Sequence, residues 1–312
     1  MKHTLLTLFL LISIGLSQEY NIDDLLERDG MYFEKYSDKP LRGKVYTMFG
    51  NKKVFMGGIV NGKLNGEWIY WNENGWKEWE GRYRKGLMNG KWTYYHENGQ
   101  IHGQGRFIDG DGTNLSVSGI PFNGRSGRWE FWYENGQKRR VGTYKDGKED
   151  GMWTHWHENG QKKAEWTYKD GEQDGKWTNW HDNGQKETES TYKDGIRDGL
   201  KTHWHENGQK KEEITLKDGK EDGKWTTWYD NGQIRSEETY KDGELDGKGT
   251  YWDRNGQKSV ETTYKDGEYD GKWTAWYENG QKKSEGTFKD GEYDGKWTTW
   301  YDNGQIRSEE TY

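Results

Sequence analysis

The sequence of residues 297–305 reads Trp297-Thr298-Thr299-Trp300-Tyr301-Asp302-Asn303-Gly304-Gln305, and it continues from Ile306 to Tyr312. Two runs rich in β-branched and aromatic residues flank Asn-Gly, which is the strongest short-range signal of a β-hairpin. We predict a type I′ turn at Asn303-Gly304, since both of its central residues need positive φ. In that register Tyr301 faces Ile306, Thr299 faces Ser308 and Trp297 faces Glu310.

This hairpin recurs along the chain with a period of 24 residues, and Trp225–Tyr240 repeats the sequence of Trp297–Tyr312. Asn-Gly begins at Asn74, Asn98, Asn135, Asn159, Asn183, Asn207, Asn231, Asn255, Asn279 and Asn303. Lys-Asp-Gly begins at Lys145, Lys169, Lys193, Lys217, Lys241, Lys265 and Lys289. A Gly-x-Trp element ends at Trp68, Trp92, Trp129, Trp153, Trp177, Trp225, Trp273 and Trp297, while Lys201 and Gly249 replace this Trp in two copies. A period of this length is typical of a stacked repeat protein.

The repeats divide the chain into three segments. Residues 1–17 form a predicted signal peptide, residues 18–40 an N-terminal cap, and residues 41–312 an array of about eleven repeats whose first copy is degenerate. The step from Asn98 to Asn135 is longer than the period. We therefore predict an insertion near residues 101–125, as a loop or an extra hairpin. The connection around Asp266 to Gly271 is either a tight Asp-Gly turn or a wider loop.

We predict an all-β fold, an elongated single-layer antiparallel β-meander of tandem 24-residue hairpins. Side chains alternate between the faces of a strand, so Trp297 and Trp300 point to opposite faces and both faces carry aromatic rings. One aromatic column is a candidate binding surface, because Trp is enriched at binding hot spots. Its members are Trp156, Trp180, Trp204, Trp228, Trp252, Trp276 and Trp300. The alternative is that this column is the core holding the sheet together.

The composition supports a thin structure held by aromatic residues. Only 29% of residues are hydrophobic and 32% are charged, yet the chain has 20 Trp and 21 Tyr, each able to bury a large ring with a polar tip. The formal net charge is −7, without a basic block, which argues against binding to nucleic acid. There is no Cys, so disulfides and thiolate metal sites are excluded.

The N-terminus has the pattern of a secretory leader. Lys2 and His3 precede the apolar run Thr4–Leu16, and Gly15 and Ser17 supply the small residues before a cleavage site. We predict cleavage after Ser17 and a secreted, periplasmic or cell-envelope location. The run is too short to span a bilayer comfortably, and no later segment has the apolar length of a membrane helix.

The repeated elements resemble a known family. The pattern Gly-Lys-Trp, Tyr-x-Asn-Gly-Gln and Tyr-Lys-Asp-Gly-x-x-Asp-Gly is similar to the MORN repeat, in the bacterial variant of the YwqK-family antitoxins. The segment from Leu26 through Lys44 also resembles the opening of exported bacterial members. The resemblance implies β-hairpin scaffolds that bind proteins, and for eukaryotic members a proposed contact with membranes. The antitoxin name implies a cytosolic protein, which the leader contradicts.

Metal and catalytic sites have little support in the sequence. His155, His157, His181, His203 and His205 recur in the strands, but aligned positions lie about two strand spacings apart, too far to share a zinc ion. Tyr replaces His157 in other copies, which favours a packing role. The acidic turns Asp146, Asp150, Asp170 and Asp174 offer oxygen ligands for calcium, but turn formation already accounts for Asp-Gly. No catalytic motif is present; we predict no cofactor, no metal and no enzymatic activity.

Three functions are compatible with these features. The first is a non-enzymatic exported scaffold that mediates protein–protein interaction. The second is binding of a carbohydrate or cell-envelope polymer through the aromatic ladders. The third is an antitoxin-like neutraliser of a toxin.

Overall fold

The computed structural model describes residues 18–312, so the predicted signal peptide and its cleavage after Ser17 lie outside the described residues. The described chain has a 3-10 helix at Ile22–Asp24 and otherwise β-strands joined by turns. The strands are β1 (Glu19–Asn21), β2 (Leu25–Arg28), β3 (Met31–Glu34), β4 (Gly43–Phe49), β5 (Lys52–Val60), β6 (Lys63–Trp71), β7 (Lys77–Arg84), β8 (Leu87–Tyr95), β9 (Ile101–Gly110), β10 (Arg125–Trp132), β11 (Lys138–Lys145), β12 (Lys148–Trp156), β13 (Lys162–Lys169), β14 (Glu172–Trp180), β15 (Lys186–Lys193), β16 (Ile196–Arg197), β17 (Gly199–Trp204), β18 (Lys210–Lys217), β19 (Lys220–Trp228), β20 (Ile234–Lys241), β21 (Glu244–Leu245), β22 (Gly247–Trp252), β23 (Lys258–Lys265), β24 (Glu268–Tyr269), β25 (Gly271–Trp276), β26 (Lys282–Lys289), β27 (Glu292–Trp300) and β28 (Ile306–Thr311).

The described chain divides into two compact units, and the sequence boundary between them falls after Ser126, inside β10. In the N-terminal unit, β4 to β9 pair antiparallel in sequence order, and β1 adds to β4 in parallel. Strands β2 and β3 form a separate hairpin. In the C-terminal unit, β10 to β28 continue the same antiparallel plan. The predicted all-β architecture of successive hairpins is therefore confirmed.

The Asp-Gly connection is a tight turn rather than a wider loop. Asp146 and Gly147 have φ of 50° and 80°, and Lys145 pairs with Lys148 across them. Two residues with positive φ between paired strands define a type I′ turn, whose twist matches that of the strands. The other Lys-Asp-Gly copies share this geometry, and Asn61-Gly62 adopts it in the degenerate copy.

The Asn-Gly connection differs from the prediction. Gly304 has a φ of 83°, but positive φ is not found at Asn303. Gly304 N–H donates to the Tyr301 carbonyl (2.9 Å), and Tyr301 N–H donates to the Gln305 carbonyl (2.8 Å). The turn is thus a longer one, closed by a glycine bulge, and the predicted type I′ turn was wrong. The Asn303 side chain instead accepts a hydrogen bond from Gln305 N–H (3.0 Å), which holds the loop without positive φ at Asn.

This bulge also changes the register next to the turn. Trp297 pairs with Glu310 and Thr299 with Ser308, as predicted, but Trp300 rather than Tyr301 pairs with Ile306. The one-residue shift lies between Thr299 and Trp300 and recurs in the other Asn-Gly hairpins of the C-terminal unit. It leaves Tyr301 in the turn, outside the paired strands.

The insertion is shorter than predicted. Residues 101–110 are the regular strand β9, in which Gly105 pairs with Trp92. The extra residues form a loop from Asp111 to Gly124, with a bridge between Leu115 and Pro121. This loop takes the place of a two-residue turn, which is why the sequence spacing alone could not locate its ends.

In some hairpins the aromatic face packs an indole on a glycine, whereas Trp166 and Ile214 occupy that position in others. A Cβ at Gly142 would lie 2.0 Å from the Trp153 indole, and one at Gly81 would lie 2.1 Å from the Trp92 indole. Each indole therefore lies directly on the backbone of the preceding strand. Trp92, Trp129 and Trp153 are at most 1% exposed. Within residues 18–312, no helix has the length and apolarity needed to cross a membrane.

Candidate functional site

The predicted binding column lies on the opposite face from these buried indoles. Strand β14 shows the alternation, since Trp177 belongs to the aromatic face and Trp180 points to the other side. We call this other side the ladder face. Its indoles are half-buried and recur once per repeat: Trp156, Trp180, Trp204, Trp228, Trp252, Trp276 and Trp300. Trp129 and Trp153 are buried on the aromatic face, but Trp177, Trp225, Trp273 and Trp297 are only half-buried, like the ladder indoles, so both faces of the later repeats are partly packed.

A lysine covers most of these indoles. The Lys186 ammonium lies 5.3 Å from the ring centre of Trp204, and the equivalent lysines lie 5.0–5.8 Å from Trp180, Trp228, Trp276 and Trp300. These distances are those of cation–π contacts. Each lysine comes from the strand between two ladder tryptophans, so indoles and ammonium groups alternate along the column.

Each of these lysines forms an ion pair with a glutamate of its own strand. Lys186 Nζ is 2.7 Å from Glu189, and Lys176 from the neighbouring strand is 2.8 Å from the same carboxylate. Burial raises the pKa of Glu189, but the hydrogen bonds from both lysines outweigh it and hold that pKa below its usual value. The Lys186 side chain is nevertheless 43% exposed. Exposed ion pairs contribute little free energy, so the lysine can move aside at small cost.

Threonines fill the floor of the ladder face. Each lies two residues before a ladder Trp on the same strand and is nearly buried, from 4% to 8% exposed: Thr178, Thr202, Thr226, Thr250, Thr274 and Thr298. Thr178 pairs directly with Glu189 across the sheet. β-Branched residues pack well on a pleated surface, which keeps the ladder side chains at fixed spacing.

In several repeats the residue after the Trp of this column joins successive repeats, whereas Nε2 of His181 is buried without a hydrogen-bond partner among residues 18–312. Tyr133 Oη donates to the carbonyl of Trp156 (2.7 Å), and Tyr277 Oη donates to that of Trp300 (2.8 Å). His157 Nε2 lies 3.3 Å from the carbonyl of Trp180. Tyr and His exchange at this position because both carry a donor that reaches the next backbone. The sequence comparison found the exchange but not the hydrogen bond.

The asparagine of the turn makes a second link between repeats. Asn207 Nδ2 donates to the carbonyl of Asp230 (2.7 Å), one repeat later. The same bond joins Asn135, Asn183, Asn231 and Asn279 to the following turn. The Asn side chain therefore stabilises its own turn and also links that turn to the next repeat.

The histidine and acidic-turn candidates are spread along the repeats. In the part of the chain that the structure describes, His, Asp and Glu do not gather in a group of three or more able to hold a metal ion. His155 belongs to the aromatic face, where its ring lies 4.3 Å from that of Trp166. Burial and the nearby charge of Arg140 lower the pKa of His155 to about 4, so its imidazole is neutral at neutral pH.

A cleft in the N-terminal unit contains residues that the sequence did not single out. It has a volume of about 480 Å³ and lies against the insertion. Trp76, Trp79, Glu78 and Glu97 are among the residues that line it. Sequence analysis missed these residues because they belong to two different repeats. The repeat pattern identifies positions that recur, whereas this cleft depends on a single insertion.

These features define a class of protein: a tandem β-hairpin repeat protein whose repeats are linked along both faces and at their turns. The model of the MORN repeat variant matches residues 88–109, 125–146, 149–170, 173–194, 197–218, 221–242, 245–266, 269–290 and 293–312. These matches include more than half of the chain, and the protein belongs to the MORN repeat family.

Other comparisons add little. No curated protein matches the chain. Among solved structures, it is similar to TcdB2-TccC3, with 10% identity and a TM-score of 0.20 over 87% of this chain and 16% of that chain. A Photorhabdus luminescens Tc holotoxin pore gives 10% identity and a TM-score of 0.20 over 87% of this chain and 15% of that chain. Such low TM-scores carry no inference.

Proposed function

We propose that this protein is a non-enzymatic, exported scaffold that binds protein partners at several repeats at once through the ladder face. The observation that carries the proposal is the recurrence of one half-buried indole, with a displaceable lysine, at the same place in consecutive repeats. Trp is the residue most enriched at binding hot spots. An array of equal, weak sites on one chain gains affinity by multivalency.

The export part of this proposal rests on the N-terminal leader pattern and is tested separately. Cell fractionation followed by N-terminal sequencing of the mature protein is expected to find it outside the cytoplasm, beginning at Gln18. An uncleaved chain in the cytosol would contradict the location but leave the ladder face in place.

The binding part is tested with graded variants. Trp180→Ala, Trp204→Ala and Trp228→Ala are introduced one, two and three at a time, and binding to fractionated envelope proteins is measured. Each step is expected to weaken binding, about 10-fold or more in total, because avidity depends on the number of engaged sites. The control replaces the exposed Lys169, Lys193 and Lys217 of the Asp-Gly turns by Gln.

The same experiment separates the scaffold from carbohydrate binding and from an antitoxin role. Retention on purified envelope glycan without any bound protein would replace the scaffold by the glycan-binding function. Suppression of a co-expressed toxin from the cytosol would favour the antitoxin role. Unchanged protein binding in the triple variant would show that the ladder face is not the contact surface.

A further inference from the structure

The cleft in the N-terminal unit has two different walls. One wall is the aromatic face of β7 and β8, with Trp79, Tyr83, Trp92 and Tyr94. The other wall comes from the insertion and includes Leu115 and Pro121. A volume of about 480 Å³ is within the range of small-molecule sites. The regular repeats have a two-residue turn where this unit has the insertion, so they have no second wall of this kind.

The aromatic wall is held rigidly. The Trp79 ring stacks on Tyr70 at 5.2 Å and 9°, and it lies 5.1 Å from the Trp92 ring. The Tyr83 ring meets Trp92 edge-on at 5.0 Å. Trp76, which is 42% exposed, stands in the turn beside this wall and also lines the cleft. Because the rings brace one another, a ligand would lose little free energy in ordering them.

The charged groups that line the cleft leave negative charge unbalanced. Glu78 and Glu97 are exposed carboxylates in its lining. Lys77, which also lines it, is 2.9 Å from Glu80 and 4.8 Å from the Tyr95 ring centre, so its charge is already balanced. The buried Arg125 donates to the carbonyls of Ile120 and Pro121, and its positive charge lies close enough to act on Tyr94 of the aromatic wall. Glu78 and Glu97 together outweigh this one cation.

We propose that this cleft binds an alkylated ammonium cation, of the choline or trimethylamine type. The faces of Trp and Tyr attract cations through their quadrupole, and this attraction is strongest for a weakly hydrated ammonium that can enter an apolar space. The carboxylates add long-range attraction and select against anions. Such a site is independent of the ladder face, and its failure would leave the scaffold function unaffected.

The decisive measurement compares choline with 3,3-dimethyl-1-butanol, its neutral analogue of nearly equal shape. Quenching of tryptophan fluorescence and calorimetry are followed on the whole protein, with both compounds in the same buffer at the same pH. Choline is expected to bind at least 10-fold more tightly than the alcohol. Equal binding of both compounds, or binding of a neutral disaccharide with no binding of choline, would overturn the proposal.

Two sets of variants locate the site. Glu78→Gln with Glu97→Gln is expected to weaken choline binding about 10-fold and to leave the weak binding of the alcohol unchanged. Glu158→Gln with Glu278→Gln changes the net charge equally in exposed turns of the C-terminal unit and is expected to stay within twofold of the original affinity. Trp76→Ala removes an exposed ring of the lining and should weaken binding without unfolding the unit. Equal effects of both charge variants would contradict a local site.

A last comparison distinguishes the sources of the cation. Vesicles of phosphatidylcholine present the group on a surface, whereas choline presents it free in solution. Co-sedimentation with these vesicles, abolished by Trp76→Ala and absent with phosphatidylglycerol vesicles, would identify a headgroup. Binding of free choline without co-sedimentation would identify a small soluble ligand. Vesicle binding that survives the Trp76 and Glu78/Glu97 variants would count against the cleft.

Discussion

In the N-terminal unit, segments outside the repeats cover the hairpins, whereas in the C-terminal unit each repeat packs mainly on its neighbours. Strand β1, the 3-10 helix and the β2–β3 hairpin contribute Tyr20, Ile22, Leu25 and Tyr32 to a cluster around Val45, Met56, Ile59 and Trp68. This cluster mixes aliphatic and aromatic residues like an ordinary core. In the regular repeats, by contrast, the buried positions are mainly aromatic rings, Thr and Ser.

The difference shows that the same type of hairpin can be stabilised in two ways. A shared core links distant parts of the chain, so the N-terminal unit is expected to unfold as a whole. A repeat that contacts mainly its neighbours contributes its own free energy of folding and that of its contacts with them. A destabilising substitution is therefore expected to affect only the neighbouring repeats. The insertion, in turn, gives the N-terminal unit a cleft with two unlike walls.

The largest expected effect comes from deleting part of the shared core. Ile59→Ala, at 1% exposure, is expected to lower the free energy of unfolding by about 3 kcal/mol. Ile214→Ala is the matched change in the C-terminal unit, at 3% exposure. Hydrogen exchange should show loss of protection throughout the N-terminal unit for Ile59→Ala, and only in the strands around β18 for Ile214→Ala. Equally widespread loss in both would remove the distinction between the units.

The second-largest effect on the free energy of unfolding is expected where a glycine contacts an indole. Gly142→Ala places a Cβ 2.0 Å from the Trp153 indole and is expected to cost about 2–3 kcal/mol, since the buried ring must move. Ser190 occupies the same position two repeats later, next to Lys201 instead of Trp, and Ser190→Ala should cost about 0.5 kcal/mol or less. Thermal or denaturant unfolding measures both changes. A tolerated Gly142→Ala would contradict the direct packing of indole on backbone.

Protonation of His155 is expected to change the free energy of unfolding by a somewhat smaller amount. Its pKa of about 4 in the folded protein is below its ordinary value of 6.5, so the unfolded chain takes up the proton first. The contribution is therefore complete above pH 6.5 and is lost as the pH falls toward 4. The two pKa values correspond to about 3 kcal/mol, which the partial exposure of the ring reduces to about 2 kcal/mol. His155→Phe keeps a ring against Trp166 and should flatten the pH dependence in this window. An identical pH profile in the variant would show that His155 is not the group that titrates.

The smallest expected effect concerns the links between turns. Asn207→Ala removes the donor to the Asp230 carbonyl (2.7 Å) and the acceptor for Gln209 N–H (3.0 Å), for an expected cost of about 1 kcal/mol. Glu206→Ala, in the same exposed turn, is the control and should be nearly neutral. Hydrogen exchange should loosen at the turns around Asn207 and Asn231 only. A global change in protection would indicate that the turns are coupled more widely than neighbour by neighbour.

Sequence reasoning succeeded where a feature is local and recurs. The hairpins, the Trp297–Glu310 and Thr299–Ser308 pairs and the placement of Trp297 and Trp300 on opposite faces follow from Asn-Gly and the period-two alternation of strands. It failed at Asn303, because a tight turn and a longer bulged turn share the same residues. It also did not see that Lys186 covers Trp204, since that contact joins neighbouring strands of the folded sheet.

The sequence by itself determined the repeat, its hairpin form and the family, because turn preferences and side-chain alternation act over a few residues and are copied in every repeat. Only the tertiary structure decided how deeply each aromatic ring is buried, which lysine lies on which indole, and that the insertion closes a cleft beside Trp79. Those arrangements depend on contacts between residues far apart along the chain, and their geometry follows from the bulges and register of the assembled sheet rather than from any one segment.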